Sequence, residues 1–225
     1  DTLRSSANTV TLSGGDDKDY IYDSGSTLLE IVANGDNGND WIQLNTRNST
    51  LSGGNDSDTL SISGNENLLR GDNGHDSLYS SGKDSTLDGG DGDDTIRSYG
   101  DNVSMNGGTG NDRLFSENER INVTIDGGKG NDYIYVYYDH NGSINGGEGD
   151  DTINVSGGRG VTVVGGKGND SINLLSDTRY NAEAIVEYAN GDGNDTIYGF
   201  GSNDTLILTT GKVSKQDTVD NNLVL

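Results

Sequence analysis

Residues 107–115 read GGTGNDRLF, and the same nine-residue pattern stands at 89–97 (GGDGDDTIR), 127–135 (GGKGNDYIY), 146–154 (GGEGDDTIN) and 165–173 (GGKGNDSIN). Looser copies are GGDDKDYIY at 14–22, GDNGNDWIQ at 35–43, GGNDSDTLS at 53–61, GDNGHDSLY at 71–79 and NGDGNDTIY at 190–198. The consensus is G-G-x-G-x-D-x-U-x, with U a large aliphatic residue. A repeat of this period is the first thing to settle in a sequence, because each unit then needs its neighbours to bury a core.

Two positions do not vary. The sixth is always Asp: Asp19, Asp40, Asp58, Asp76, Asp94, Asp112, Asp132, Asp151, Asp170 and Asp195. The eighth is always Ile or Leu, from Ile21 to Ile197. The steps between successive aspartates are 21, 18, 18, 18, 18, 20, 19, 19 and 25 residues. A second aliphatic stands two residues before most motifs, as Leu12, Leu51, Leu69, Leu87, Met105, Ile125, Ile144 and Val163. The unit is therefore two half-turns of about nine residues, each with one inward aliphatic. Only one half-turn carries the glycine–acid loop. The other has plain polar turns such as SSGKDS at 80–85.

Composition narrows the classes. Of 225 residues, 36 are Gly, none is Pro or Cys, and 37 acids face 14 bases for a net charge of −23. Low hydropathy with high charge would by itself suggest disorder; the ordered repeat argues otherwise. No apolar run approaches the ~18 residues that span a bilayer, so no membrane insertion is expected. Thiolate metal sites and disulfides are excluded without cysteine. The sign of the charge excludes a nucleic-acid partner.

The motif resembles the RTX, or hemolysin-type, calcium-binding nonapeptide repeat over residues ~10–210. The resemblance implies an all-β fold, a right-handed parallel β-roll of about ten turns, ~45–50 Å long at ~4.8 Å per turn. It implies calcium between loops stacked on consecutive turns. Family members often carry the loop on both half-turns; this chain carries it on one, so one calcium-binding edge is expected. The roll is expected over 1–198 with a capping segment over 199–225.

The chemistry fits the residue types. Glycines at the first, second and fourth positions are expected to let the backbone take positive φ and curl. A curled loop can aim several carbonyls at one point, and Ca²⁺ takes 6–8 hard oxygen ligands. The expected ligands are the ten sixth-position aspartates with backbone oxygens of two sets of glycines. The first-position set is Gly14, Gly35, Gly53, Gly71, Gly89, Gly107, Gly127, Gly146 and Gly165. The fourth-position set is Gly38, Gly74, Gly92, Gly110, Gly130, Gly149, Gly168 and Gly193. Asp17 and Asp56 replace the fourth glycine, Asp36 and Asp72 the second, and Asn190 the first; Asp and Asn are the side chains that best tolerate left-handed geometry. Ten loops leave up to nine gaps, and nine Ca²⁺ would bring the charge of −23 to about −5. Folding is therefore expected to be coupled to metal.

Other features read more plainly. His75, at the variable fifth position, and His140 are expected at the surface. Tyr20, Tyr22, Trp41, Tyr79, Tyr133, Tyr135, Tyr137, Tyr138 and Tyr198 flank the inward aliphatics and should point outward. Carboxylate pairs such as Asp93–Asp94 and Asp150–Asp151 do not suggest a glycosidase, because one member of each belongs to the repeat. A Thr/Asn ice-binding row is absent, since the third position is irregular. Residues 176–188, SDTRYNAEAIVEY, read as a bulge or longer loop with a turn of helix. Asp204 is expected to cap, and Leu206–Leu208 and Leu223–Leu225 to add strands.

The expected function is a non-enzymatic, calcium-dependent structural module of a secreted or surface bacterial protein such as an adhesin. The sequence starts at Asp1 without a stretch that reads as a signal peptide, and is expected to be part of a larger protein exported by type I secretion. Two alternatives stand beside this reading: an accessory module of a secreted protease, lipase or polysaccharide epimerase, and a glycan- or protein-binding face on the roll.

Overall fold

The computed structural model describes residues 1–6, 9–23, 30–175, 183–189, 191–209, 217–219 and 222–224. Two parallel sheets face each other across one thin core, and the chain winds through about ten turns. The first sheet is built from the strand that follows each loop, among them Tyr20–Asp23, Trp41–Leu44, Thr95–Ser98, Arg113–Ser116, Tyr133–Tyr137 and Thr196–Tyr198. The second is built from the strand that runs into each loop, among them Val10–Gly15, Ile31–Asn37, Thr86–Asp91, Ser104–Thr109 and Arg159–Lys167. No helix occurs among the described residues.

Register follows from the repeat. Ile21, Ile42, Leu60, Leu78, Ile96, Leu114, Ile134, Ile153, Ile172 and Ile197 pair residue for residue down the first sheet. Leu12, Ala33, Leu51, Leu69, Leu87, Met105, Ile125, Ile144, Val163, Val186 and Leu206 do so down the second. A one-residue slip would turn either row to solvent, so burial fixes the register.

The core holds more than two rows. Leu44, Ile62, Val136, Val155 and Leu174 are also buried, with Ser80, Ser98 and Ser116 at the same position on the middle turns. Val103, Val123 and Val161 line the far edge, where Ser49, Asn67 and Ser85 stand on earlier turns. The count of one inward aliphatic per half-turn is thus too low. The strands extend past the motif, and their alternation keeps every second residue inside.

Within 176–188, read as a bulge or longer loop with a turn of helix, Glu183–Tyr188 is a strand that continues the second sheet; residues 176–182, like Asn190, lie outside those described. Thr205–Leu208 extends that sheet, and Asp217–Val219 and Asn222–Val224 add antiparallel strands to the first. Asp204 Oδ1 accepts the Ala184 amide at 2.9 Å and Oδ2 the Gly201 amide at 2.8 Å, so this carboxylate ties the closing turns together.

Candidate metal edge

Each loop crosses from the second sheet to the first, and the sixth-position Asp is its last residue before the next strand. Its alternation points it inward. All ten aspartates are no more than 3% exposed. A row of buried carboxylates is costly unless each is hydrogen-bonded and paired.

Half of that need is met. The amide of Asp19 donates to Asp40 Oδ1 at 2.7 Å, that of Asp40 to Asp58, and so on turn by turn to Asp170, whose amide reaches Asp195 Oδ1 at 3.0 Å. The other half is not. Oδ2 of Asp19, Asp40, Asp58, Asp76, Asp94, Asp112, Asp132, Asp151 and Asp170 is buried and accepts no hydrogen bond.

The titration of these groups follows. Burial pushes the Asp94 carboxyl up to about 8, with Asp76 and Asp112 beside it adding repulsion and the Asp76 amide partly offsetting both. Asp58, Asp112 and Asp151 rise to about 7 and Asp76, Asp132 and Asp195 to about 6, desolvation leading in each. Asp40 and Asp170 are raised by the same cause.

The glycines of the loop do two separate jobs. Those at the second and fourth positions adopt the left-handed region, as Gly108 at φ 110° and Gly110 at φ 129°. Where Asp replaces them, Asp17, Asp36, Asp56 and Asp72 take φ of 71–76°, as their side chains allow. The first-position glycines correct the sequence reading, because none of them has positive φ. They are glycine for space. A Cβ on Gly107 would overlap Asp112 Oδ2 and the carbonyl oxygen of Gly127 on the next turn. The same pair of oxygens, one carboxylate and one carbonyl, flanks Gly14, Gly35, Gly53, Gly71, Gly89, Gly127 and Gly146, and Gly165 faces Asp170 alike. The fourth-position carbonyls also line up. Oxygens of Gly74, Gly92, Gly110, Gly130, Gly149 and Gly168 lie against Gly92, Gly110, Gly130, Gly149, Gly168 and Gly193 of the following turn, and Gly38 and Gly74 pack on the carbonyls of Asp17 and Asp56.

The donor set is all oxygen, part carboxylate and part carbonyl, with partner-free buried oxygens repeating along the edge. That suits a hard divalent cation such as Ca²⁺ rather than a metal that prefers nitrogen or sulfur. No group of three or more His, Asp or Glu side chains converges among the described residues. A cation here would draw on the backbone for most of its ligands.

A family model for the RTX calcium-binding nonapeptide repeat matches residues 34–69, 70–103, 88–118, 122–136, 139–161, 162–176 and 191–211, which together make up most of the chain. The chain belongs to the RTX calcium-binding nonapeptide repeat family. No individual curated protein and no solved structure matches it. RTX repeats bind calcium, and the edge just described is where this RTX chain collects its buried carboxylates.

Sequence reasoning missed two features of this RTX roll. The fifth position, read as variable, forms a second ladder. Asn39, Ser57, His75, Asp93, Asn111, Asn131, Asp150 and Asn169 each accept, through the side chain, the amide of the fifth residue one turn later. It runs opposite to the Asp ladder, whose amides point to the following turn. The available signal was that this position, from Asn39 on, always carries a hydrogen-bond acceptor. The second feature is Asp139 on the far edge, fully buried and raised to about 7 by desolvation, with the His140 and Val123 amides offsetting part of it. It stands outside the nonapeptide, so no motif points to it.

Proposed function

We propose that this chain is a calcium-dependent structural module: expanded where calcium is scarce, folded and stiff where it is millimolar. The observation that carries the reading is the row of nine buried, unpartnered Asp Oδ2 atoms, each beside a first-position glycine, which in eight of the nine also leaves room next to a carbonyl of the next turn. The sixth-position aspartates and the carbonyls of the first- and fourth-position glycines are the proposed ligands, with up to nine ions in one row. Bound calcium supplies the positive charge and the ligand field that this row of carboxylates lacks.

Without it, the repulsion along the edge and the net charge of −23 oppose collapse around a thin core. With it, binding free energy acts as folding free energy. Sites tuned for extracellular calcium bind at ~10⁻⁴–10⁻³ M, which would keep the chain unfolded in a low-calcium cytoplasm and fold it outside. RTX repeats typically occur in secreted proteins. The parent is accordingly read as a secreted or surface protein such as an adhesin, exported by type I secretion, with the roll as folding aid and spacer.

Far-UV circular dichroism during calcium titration of chelated protein, with magnesium as control, tests the reading. A coil-to-β transition with calcium and not magnesium is the expected result. A β spectrum already complete in chelator would overturn it.

A further inference from the structure

The outer face of the first sheet differs in chemistry from the rest of the molecule. Its strands from Tyr20–Asp23 to Thr196–Tyr198 turn alternate residues outward. No outward residue is acidic, in a chain with 37 acids. Nine of the chain's 14 aromatics (11 Tyr, 2 Phe, 1 Trp) are there. Leu175 is the only outward aliphatic. The outer face of the second sheet follows no such rule and includes Asp88 and Asp126.

The aromatics are densest on two adjacent turns. Phe115, Tyr133, Tyr135 and Tyr137 line an open groove of about 450 Å³ together with Arg97, Glu117 and Asn118. Phe115 and Tyr133 pack against each other with ring centres 6.0 Å apart and planes tilted by 47°. The Arg97 guanidinium lies 4.6 Å from the centre of the Phe115 ring and pairs with Glu117, whose other oxygen accepts the Tyr99 hydroxyl at 3.1 Å. This ion pair is held in place from two sides, yet Arg97 keeps spare donors and Glu117 spare lone pairs.

Rings with a wet polar tip offer an apolar contact without an oily surface. A protein partner of ordinary kind would bury about 800 Å² a side, more than one groove of this size offers. A polyanion would meet a chain of charge −23 and an arginine already neutralised. What fits is a small, uncharged ring with one C–H face and a rim of hydroxyls. We propose that this groove binds an uncharged glycan, stacking a pyranose face on the tyrosine floor and placing hydroxyls on Arg97 and Glu117. The proposal needs the roll to be folded and does not depend on calcium being what folds it.

The test is an array of neutral oligosaccharides (gluco-, manno-, galacto-, xylo- and chito-) beside uronic-acid polymers, probed with the whole chain in millimolar calcium. Circular dichroism of the same samples reads folding separately from binding. Neutral glycans should bind, Tyr133→Ala should weaken the best of them about tenfold with the β spectrum retained, and Tyr198→Ala, far along the sheet, should not. Arg97→Gln should alter the preference among neutral sugars. Three results would overturn the proposal: no neutral glycan bound by folded chain, binding confined to the uronic acids, or a sedimenting dimer of the wild type that Tyr133→Ala makes monomeric, which would assign the face to a second copy.

Discussion

The backbone amide of Asp94 donates to Oδ1 of Asp112, 2.7 Å away on the next turn, while Oδ2 of the same Asp112 is buried and accepts nothing. One oxygen is structural and the other is spare. Repeated along the roll, this division lets one side chain both stitch the turns and present negative charge to a cation.

Asp112→Asn separates the two roles. An amide oxygen can still accept the Asp94 amide, but the charge is gone. In chelator, where the chain is expanded, the variant should need no more of a stabilising osmolyte than wild type to reach the β spectrum, because a buried repulsive charge has been removed. Its calcium midpoint should rise about tenfold, or native mass spectrometry should show fewer ions bound. Asp112→Ala should lose the amide bond as well, and need more osmolyte than Asp112→Asn.

Gly107→Ala tests space rather than backbone freedom. Gly107 has no positive φ, so a reading based on conformation alone expects little effect. The Cβ would instead push against Asp112 Oδ2 and the Gly127 carbonyl. We expect a loss of about 1–3 kcal/mol on urea unfolding in calcium, together with weaker calcium binding. Thr109→Ala, on the exposed outside of the same loop, should change calcium binding little.

Acid should act on the metal-free and calcium-loaded forms in opposite senses. Seven of the row's folded-state carboxyls, Asp58, Asp76, Asp94, Asp112, Asp132, Asp151 and Asp195, lie at about 6 to 8, above the ordinary value of 3.8. The folded chain therefore holds protons that the unfolded chain has released. Stability from these groups is full below the unfolded value and is lost as pH rises through 6 to 8. In chelator, lowering pH from about 8 to 5 should therefore draw the expanded chain toward the β spectrum. In calcium the same change should lower apparent affinity, since protons compete for the same oxygens. A chelated chain whose β signal falls on the way from pH 8 to 5 would contradict the burial of the row.

His75 Nδ1 accepts the Asp93 amide at 2.8 Å, so the neutral ring with its proton on Nε2 is the form that fits. Losing that acceptor should cost about 1 kcal/mol at this turn. His75→Ala should do so and speed hydrogen exchange of the Asp93 amide. His75→Asn, copying Asn111, which accepts the Asn131 amide, should keep that amide protected and leave the fold intact.

Much of the roll was legible because a solenoid repeats its own evidence. Ten copies with invariant Asp and Ile or Leu specify the period, the two aliphatic rows and the loop edge. They even mark Asp17, Asp36, Asp56 and Asp72 as left-handed positions, which the backbone bears out. What the pattern left hidden involves residues of different turns. The role of Gly107 depends on a carbonyl 20 residues away, and that of His75 on an amide 18 residues on. Asp139 is buried by neighbours that no motif names.

The division between the two levels is physical. Period, strand order and register are local matters summed over turns: once each unit must bury one side of each strand, stacking in register is the arrangement that does so for all of them. The amino-acid sequence by itself therefore determined a parallel roll with one acidic edge. Tertiary structure alone decided that the acids point inward, that one oxygen of each from Asp40 to Asp195 is spent on the turn before, and that Oδ2 of nine of the ten is left without a donor. Those facts turn on distances between chain segments some 18 residues apart, which stacking sets and sequence spacing does not.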